Sequence, residues 1–129
     1  GAFGEVFKGT CMEEPVAIKT MLDITEESVI EFRNEILMTA TLRHPNIVNF
    51  IGACWNKELM CLVLEWVANG SLKDMLENDK IILKWNDPLL RLTCDIVKGM
   101  SYLHNRSYYD ESQDNDIKYC ILHRDLKPD

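Results

Sequence analysis

Apolar and polar positions change period along this chain, from a two-residue alternation in much of the first seventy residues to a helical spacing beyond. In GAFGEVFKG, residues 1–9, Phe3 and Val6 alternate with small residues before Phe7, which predicts two short strand pieces around a glycine turn, a β-hairpin. Pro15 precedes VAIKT, where alternation puts Val16 and Ile18 on one face, read as core, and Ala17 and Lys19 on the other, small and then cationic. Thr25, a capping hydroxyl, with Glu26 and Glu27 in the first turn, predicts a helix running to about Leu42. At about 100° per residue its Val29, Ile30, Phe32, Ile36, Leu37 and Ala40 form one broad apolar stripe. Glu35 lies just off the edge of that stripe, and Arg33 is a misfit inside it. After His44-Pro45-Asn46 come two β-rich runs, IVNFIGAC and LMCLVLEW, joined through Asn56-Lys57 and closed by the polar break Ala68-Asn69-Gly70. Four or five strands and one helix are therefore expected before residue 70.

Beyond that break the pattern is helical. Ser71 can cap a short helix through about Glu77, and Asp87-Pro88 predicts another, with Asp87 as cap and Pro88 at the first helical position. That helix is expected to end near His104. Its Leu89, Leu92, Ile96, Met100 and Leu103 fall at helical spacing, and Leu90 and Val97 widen the apolar face to about 160°. A face that wide calls for neighbours on several sides, and this chain offers few. Residues 105–119, NRSYYDESQDNDIKY, are polar, acidic and without period, hence a loop. The short apolar run Cys120-Ile121-Leu122 then leads into HRDLKPD.

Composition narrows the picture. A chain of 129 residues, 47% apolar and 27% charged, is ordinary globular protein, and its net charge of −7 argues against a broad basic face for nucleic acid. Phosphate chemistry here would have to use a few placed cations. No apolar run approaches the roughly 18 residues needed to span a bilayer, and no signal segment opens the chain. Five cysteines, an odd number without C-x-x-C spacing, signal neither a disulfide framework nor a zinc site, and read as free, mostly buried thiols in a reducing compartment.

Chemistry is concentrated at three places. Gly1-x-x-Gly4-x-Val6 lets backbone amides approach a phosphate closely, though an ordinary turn has the same look. Lys19 is a cation on a packed strand, where burial without a partner is costly; a carboxylate or a phosphate is expected beside it, and Glu35 is placed to be that carboxylate. In HRDLKPD, Asp125 lies two residues before Lys127, a carboxylate able to accept a hydroxyl proton beside a group that neutralises phosphate charge.

Taken in order, the glycine turn, V-A-I-K, a helix glutamate, the polar break and H-R-D-L-K make the chain resemble the eukaryotic protein kinase family over all 129 residues. The resemblance implies an α+β, protein kinase-like fold: an N-lobe over 1–64, a hinge over 65–70 and the start of a mainly helical C-lobe over 71–129. It implies ATP as co-substrate, with Gly1, Ala2, Phe3, Gly4, Val6 and Ala17 at the nucleotide, Lys19 on its α/β-phosphates and Glu35 as the helix partner of that lysine. Leu64 matches the gatekeeper, and the backbone of Glu65, Trp66 and Val67 matches the adenine-binding hinge. Asp125 matches the catalytic aspartate, Lys127 the lysine found two residues later in Ser/Thr-type members, and Arg124 makes the loop RD-type. RHPNIVNFIGAC and LVLEWVANGSL look most like the tyrosine-kinase-like branch, whose members mostly phosphorylate Ser and Thr.

Protein Ser/Thr substrates, an intracellular location and Mg²⁺ are implied with it; the Mg²⁺ ligands, a catalytic-loop Asn and the D-F-G Asp, are expected beyond Asp129. On this reading the chain is a fragment of a kinase domain, inactive by itself, whose exposed helical face awaits later helices. Two departures stand out. Thr39 holds the position four after Glu35 where the family usually has a large apolar residue, the one feature favouring an inactive, nucleotide-binding or scaffold member. The loop over 105–119 is longer than usual; Tyr108-Tyr109 offer a docking or modification site, against a simple surface insertion.

Overall fold

In the computed structural model, which describes residues 3–21, 24–56, 59–108 and 119–128, the chain forms two compact units, Gly1–Ala68 and Asn69–Asp129. The first holds β1 (Phe3–Cys11), β2 (Glu14–Met21), α1 (Glu26–Thr39), β3 (Phe50–Trp55) and β4 (Met60–Glu65). These strands make one antiparallel sheet in the order β1-β2-β4-β3. The second holds α2 (Leu72–Leu76), α3 (Leu89–Asn105) and a two-stranded ladder of β5 (Ser107–Tyr108) with β6 (Tyr119–Cys120).

Residues 3–9 do not fold back on themselves. β1 is a single strand whose register shifts between Phe3 and Val6, so Gly4 sits in an irregularity of the ladder and not in a reversal. The chain reverses at Met12-Glu13, between the paired Cys11 and Glu14, with φ of 50° and 69°. Two positive φ values in a two-residue loop are what the right-handed twist of the flanking strands requires. Met and Glu carry no turn signature, which is why the pattern did not reveal them.

The register also corrects which sheet face carries the core. Residues directly opposite in an antiparallel pair share a face. Lys19 lies opposite Leu62, and Ala17 opposite Leu64, so the cationic face is the one that bears Leu62. Fully buried Phe32 of α1 packs there with Met60 and Leu62, ringed by Met21, Val29, Ile36 and Phe50. Phe32 meets Trp55 edge-to-face, ring centroids 5.8 Å apart. Val16, on the other face, is buried too.

α1 begins where expected: Thr25 accepts from the Ser28 N–H while Ser28 Oγ accepts from the Thr25 N–H, a reciprocal cap. It ends at Thr39, three residues short of the expected Leu42. Its buried stripe is narrower than predicted, since Ile30 and Leu37 are exposed. Arg33, between them at helical spacing, is exposed as well, which removes the misfit.

α2 is capped by a Ser71–Asp74 box. Gly70, with φ 72°, turns the chain into it in a conformation that favours glycine. α3 differs from expectation at its start. Pro88 occupies the cap position and no side chain caps the helix. The carbonyls of Lys84 and Trp85 accept from the N–H groups of Leu89 and Leu90, so the first turn is satisfied by the preceding backbone and Asp87 is not needed. Along α3 Leu103 is buried, whereas Leu90, Ile96 and Val97 are exposed. The ends of the expected loop over 105–119 pair as β5 and β6; residues 109–118, with Tyr109 of the suggested modification site, lie outside the described residues. Nor are the thiols mostly buried: only Cys61 is, while Cys94 and Cys120 are exposed on α3 and at the end of β6. Among the described residues no helix is long and apolar enough to cross a membrane.

Candidate functional site

Two groups of charged residues, one in each unit, hold the candidate residues. In the first unit β2 presents Lys19 and α1 presents Glu35; Lys19 Nζ lies 3.1 Å from Glu35 Oε1. Both side chains are about two-thirds buried, at 31% and 27% exposure. Each therefore makes the other tolerable at the rim of an apolar core. Register puts Val6 opposite Lys19 and Leu64 opposite Ala17, so these four residues form one patch on the sheet face. Ala17 and Leu64 are half-buried and Val6 is exposed. The patch is apolar and small-residue at one end and cationic at the other, the polarity that a flat heterocycle bearing phosphates would match.

Beyond Leu64, β4 ends at Glu65, whose N–H donates to the Asn49 carbonyl and whose carboxylate accepts from Asn49 Nδ2 at 2.9 Å each. The indole of Trp66 lies under Lys8 Nζ of β1, 5.0 Å from the ring centroid, and Val67 is exposed. Gly1 and Ala2 lie outside the described residues; Phe3 and Gly4 open β1.

Thr39, the departure from the usual apolar residue, closes α1 by donating its hydroxyl to the Glu35 carbonyl, one turn back. The same glutamate thus meets Lys19 through its side chain and Thr39 through its backbone. This local bond accompanies the early end of the helix.

In the second unit Lys127 Nζ stands 3.2 Å from Asp125 Oδ2, with the two side chains 53% and 74% exposed. A pair so exposed contributes about 1 kcal/mol or less to stability. The backbone N–H of Asp125 donates to His123 Nδ1 at 3.3 Å. Arg124 between them has φ 61°, a left-handed conformation that costs a non-glycine residue roughly 1–2 kcal/mol. Strain of this kind concentrates at functional sites. No sequence signal marks Arg124 for it.

A second feature escaped sequence reasoning. The Lys73 N–H, in the first turn of α2, donates to the Pro128 carbonyl at 2.9 Å. The Ser71–Asp74 box that fixes this turn thereby also anchors the segment carrying Asp125, together with buried Ile121 before it. Ser71 holds the Asp74 carboxyl below its usual value through backbone and side-chain hydrogen bonds.

A family model described as protein tyrosine and serine/threonine kinase matches residues 1–112. The chain belongs to this kinase family. Serine/threonine-protein kinase STY17 of Arabidopsis thaliana is 38% identical to it over 98% of the chain, which covers 20% of that protein. Probable serine/threonine-protein kinase drkB of Dictyostelium discoideum is 37% identical over 98% of the chain, 17% of its own length. Dual specificity protein kinase splA of the same organism is 39% identical, again over 98% of the chain and 5% of its own length. The chain thus spans a fifth or less of these curated kinases. Kinases of this family generally use ATP and Mg²⁺. The four-stranded antiparallel sheet with its helix, followed by helices, accords with an N-lobe and the start of a C-lobe.

Proposed function

We propose that the protein bearing this segment is an ATP-dependent protein serine/threonine kinase, transferring the γ-phosphate of ATP to Ser and Thr hydroxyls of proteins. The observation that carries the reading is the Lys19–Glu35 pair, 3.1 Å apart on the sheet face that also bears Val6, Ala17 and Leu64. In this reading Val6, Ala17 and Leu64 pack on adenine, and the backbone of Glu65, Trp66 and Val67 hydrogen-bonds its edge. Gly1, Ala2, Phe3 and Gly4 bring backbone amides to the phosphates. Lys19, oriented by Glu35, neutralises charge on the α- and β-phosphates. Asp125 orients the acceptor hydroxyl and takes its proton, while Lys127 offsets charge on the transferred group. Magnesium bound with the nucleotide would supply further charge neutralisation, and the kinase resemblance puts its ligands, a catalytic-loop Asn and the D-F-G Asp, after Asp129. Dependence on ATP is the reason to place the domain inside the cell.

The similarity to enzymes named serine/threonine-protein kinases supports the choice of acceptor. Asp125→Asn in the full-length protein tests the reading. Turnover on a Ser/Thr peptide should fall about 10²–10⁴-fold, the usual contribution of a positioned base, with ATP affinity nearly unchanged. Loss of ATP binding, or intact turnover, would show the role to be misassigned. Parallel assays with Ser, Thr and Tyr peptides decide the acceptor.

A further inference from the structure

The hairpin of β3 and β4 sets Cys54 directly opposite Cys61. Residues so paired share a sheet face, with Cα atoms about 4.5–5.5 Å apart. That separation lies within the roughly 4.4–6.8 Å that a disulfide spans. Both thiols are free, Cys61 buried and Cys54 half-buried. Asn56, in the connection between the strands, donates its side-chain N–H to Cys54 Sγ at 3.8 Å, while its Oδ1 accepts from the Leu59 N–H at 2.7 Å. The connection therefore fixes one thiol where solvent can reach it, and the sheet holds the second against it. Burial raises the Cys61 thiol above its ordinary value, so Cys54 is the sulfur left to meet peroxide first.

We propose that Cys54 and Cys61 form a peroxide-responsive dithiol, with Cys54 the sulfur that is oxidised and Cys61 the one that resolves it. Cys54 sulfur attacks a peroxide oxygen: the O–O bond breaks, an S–O bond forms, and the departing hydroxide takes the Cys54 thiol proton and leaves as one water, giving the sulfenic acid. Cys61 sulfur then attacks Cys54 sulfur. The S–S bond forms, the S–O bond breaks, and the oxygen leaves as a second water with the Cys61 proton. Two thiols are oxidised and one peroxide is reduced. A cellular thiol reductant returns the pair, as expected of a transient bond in a reducing compartment. The bond would tie β3 to β4 one residue pair before the connection, on the strand that goes on to Leu64 and Glu65.

The sequence makes the test unambiguous. Trypsin cuts after Arg43, Lys57 and Lys73, so Cys54 and Cys61 fall in separate peptides, 44–57 and 58–73, each with a single cysteine. The folded full-length protein is treated with hydrogen peroxide, alkylated, digested and mapped by mass spectrometry. The expected result is a linked 44–57/58–73 pair lacking two hydrogens, lost on reduction with dithiothreitol. Cys61→Ser should leave Cys54 as a sulfenic acid that dimedone traps, and Cys54→Ser should leave Cys61 unlabelled. Oxidation of Cys54 to the sulfinic acid without a linked pair would overturn the proposal, as would links formed only with Cys11, Cys94 or Cys120. The wild-type map needs no variant, so a variant that fails to fold leaves the test intact.

Discussion

Replacing Lys19 with Met separates a structural lysine from a functional one. At 3.1 Å from Glu35 the ammonium and carboxylate attract by about 5 kcal/mol in an effective dielectric near 20. That gross figure is not the stability at stake. Both groups surrender hydration at roughly two-thirds burial, two long side chains lose rotamer freedom, and the remaining exposure lets salt screen the pair. The net contribution is then about 1 kcal/mol or less, near the range measured for partly exposed pairs. Methionine keeps the aliphatic stem that lies along the sheet beside Leu62 and removes only the charge. Lys19→Met is thus expected to lower unfolding stability by no more than about 1 kcal/mol, the residue of an unpaired but half-solvated Glu35. Turnover with ATP should fall at least about a hundredfold, the scale for removing one group that stabilises transition-state charge. Urea denaturation followed by tryptophan fluorescence and a peptide phosphorylation assay, both on the full-length protein, read the two quantities. Glu35→Gln should give the same small stability change and a smaller loss of turnover, because the lysine stays but loses its orienting carboxylate. A Lys19→Met protein destabilised by several kcal/mol yet fully active would refute the reasoning, since the lysine would then belong to the fold alone.

Phe32→Ala removes a fully buried ring from the centre of the sheet–helix core and should cost about 3–5 kcal/mol in the same urea experiment; a loss below 1 kcal/mol would mean that α1 does not pack as described. Glu13→Gly relieves a left-handed residue in the β1–β2 turn and should stabilise by up to about 1 kcal/mol, less the added freedom of the unfolded chain; a lower melting temperature would contradict the turn geometry. Asp74 has its folded value held below the ordinary 3.8, so its capping contribution is complete above that pH and is lost as pH falls through the lower folded value. The carboxyl carbon of Asp74, followed by NMR, should titrate below 3.8, and Ser71→Ala should bring the midpoint back toward it; a wild-type midpoint at or above 3.8 would remove the cap.

What could be read from the sequence was local. Thr25 and Ser71 announce their helices because a capping hydroxyl acts on N–H groups only a few residues away. Four strands before residue 70 follow from alternation, which reports only on half-buried surface. The turn at Met12-Glu13 was hidden because strand pairing, not turn chemistry, forces those residues into positive φ. Asp87 looked like a cap until the backbone carbonyls of Lys84 and Trp85 took the N–H groups it would have served. The apolar stripe of α1 was drawn too wide because periodicity cannot say how much of a face a neighbour covers; exposed Ile30, Arg33 and Leu37 mark the part left to solvent. In the candidate site, Lys19 and Glu35 were legible as a lysine in need of a carboxylate and a glutamate at the edge of a stripe. The left-handed Arg124 and the bond from Lys73 to Pro128 were not, since each depends on chain segments far apart in sequence or on strain that composition does not encode.

Under the proposed function, the position of Glu35 ties phosphate binding by Lys19 to the packing of one helix. Side by side, 3.1 Å apart, the ammonium and the carboxylate largely cancel each other's field at a distance. Lys19 therefore offers a phosphate less attraction while Glu35 holds it than a free lysine would, in exchange for a fixed location. That location holds only while α1 keeps its place on the sheet. Phe32, Val29 and Ile36 supply the apolar hold, and Thr39 ends the helix one turn after Glu35 with a bond to the Glu35 carbonyl instead of adding another apolar side chain to that hold. Replacing Thr39 by Leu would exchange this backbone bond for apolar surface, worth roughly 1–2 kcal/mol if it is buried and close to nothing if it is not. The substitution thus asks whether α1 is limited by its grip on the sheet: a gain in both stability and turnover says that it is, and unchanged turnover places the limit elsewhere.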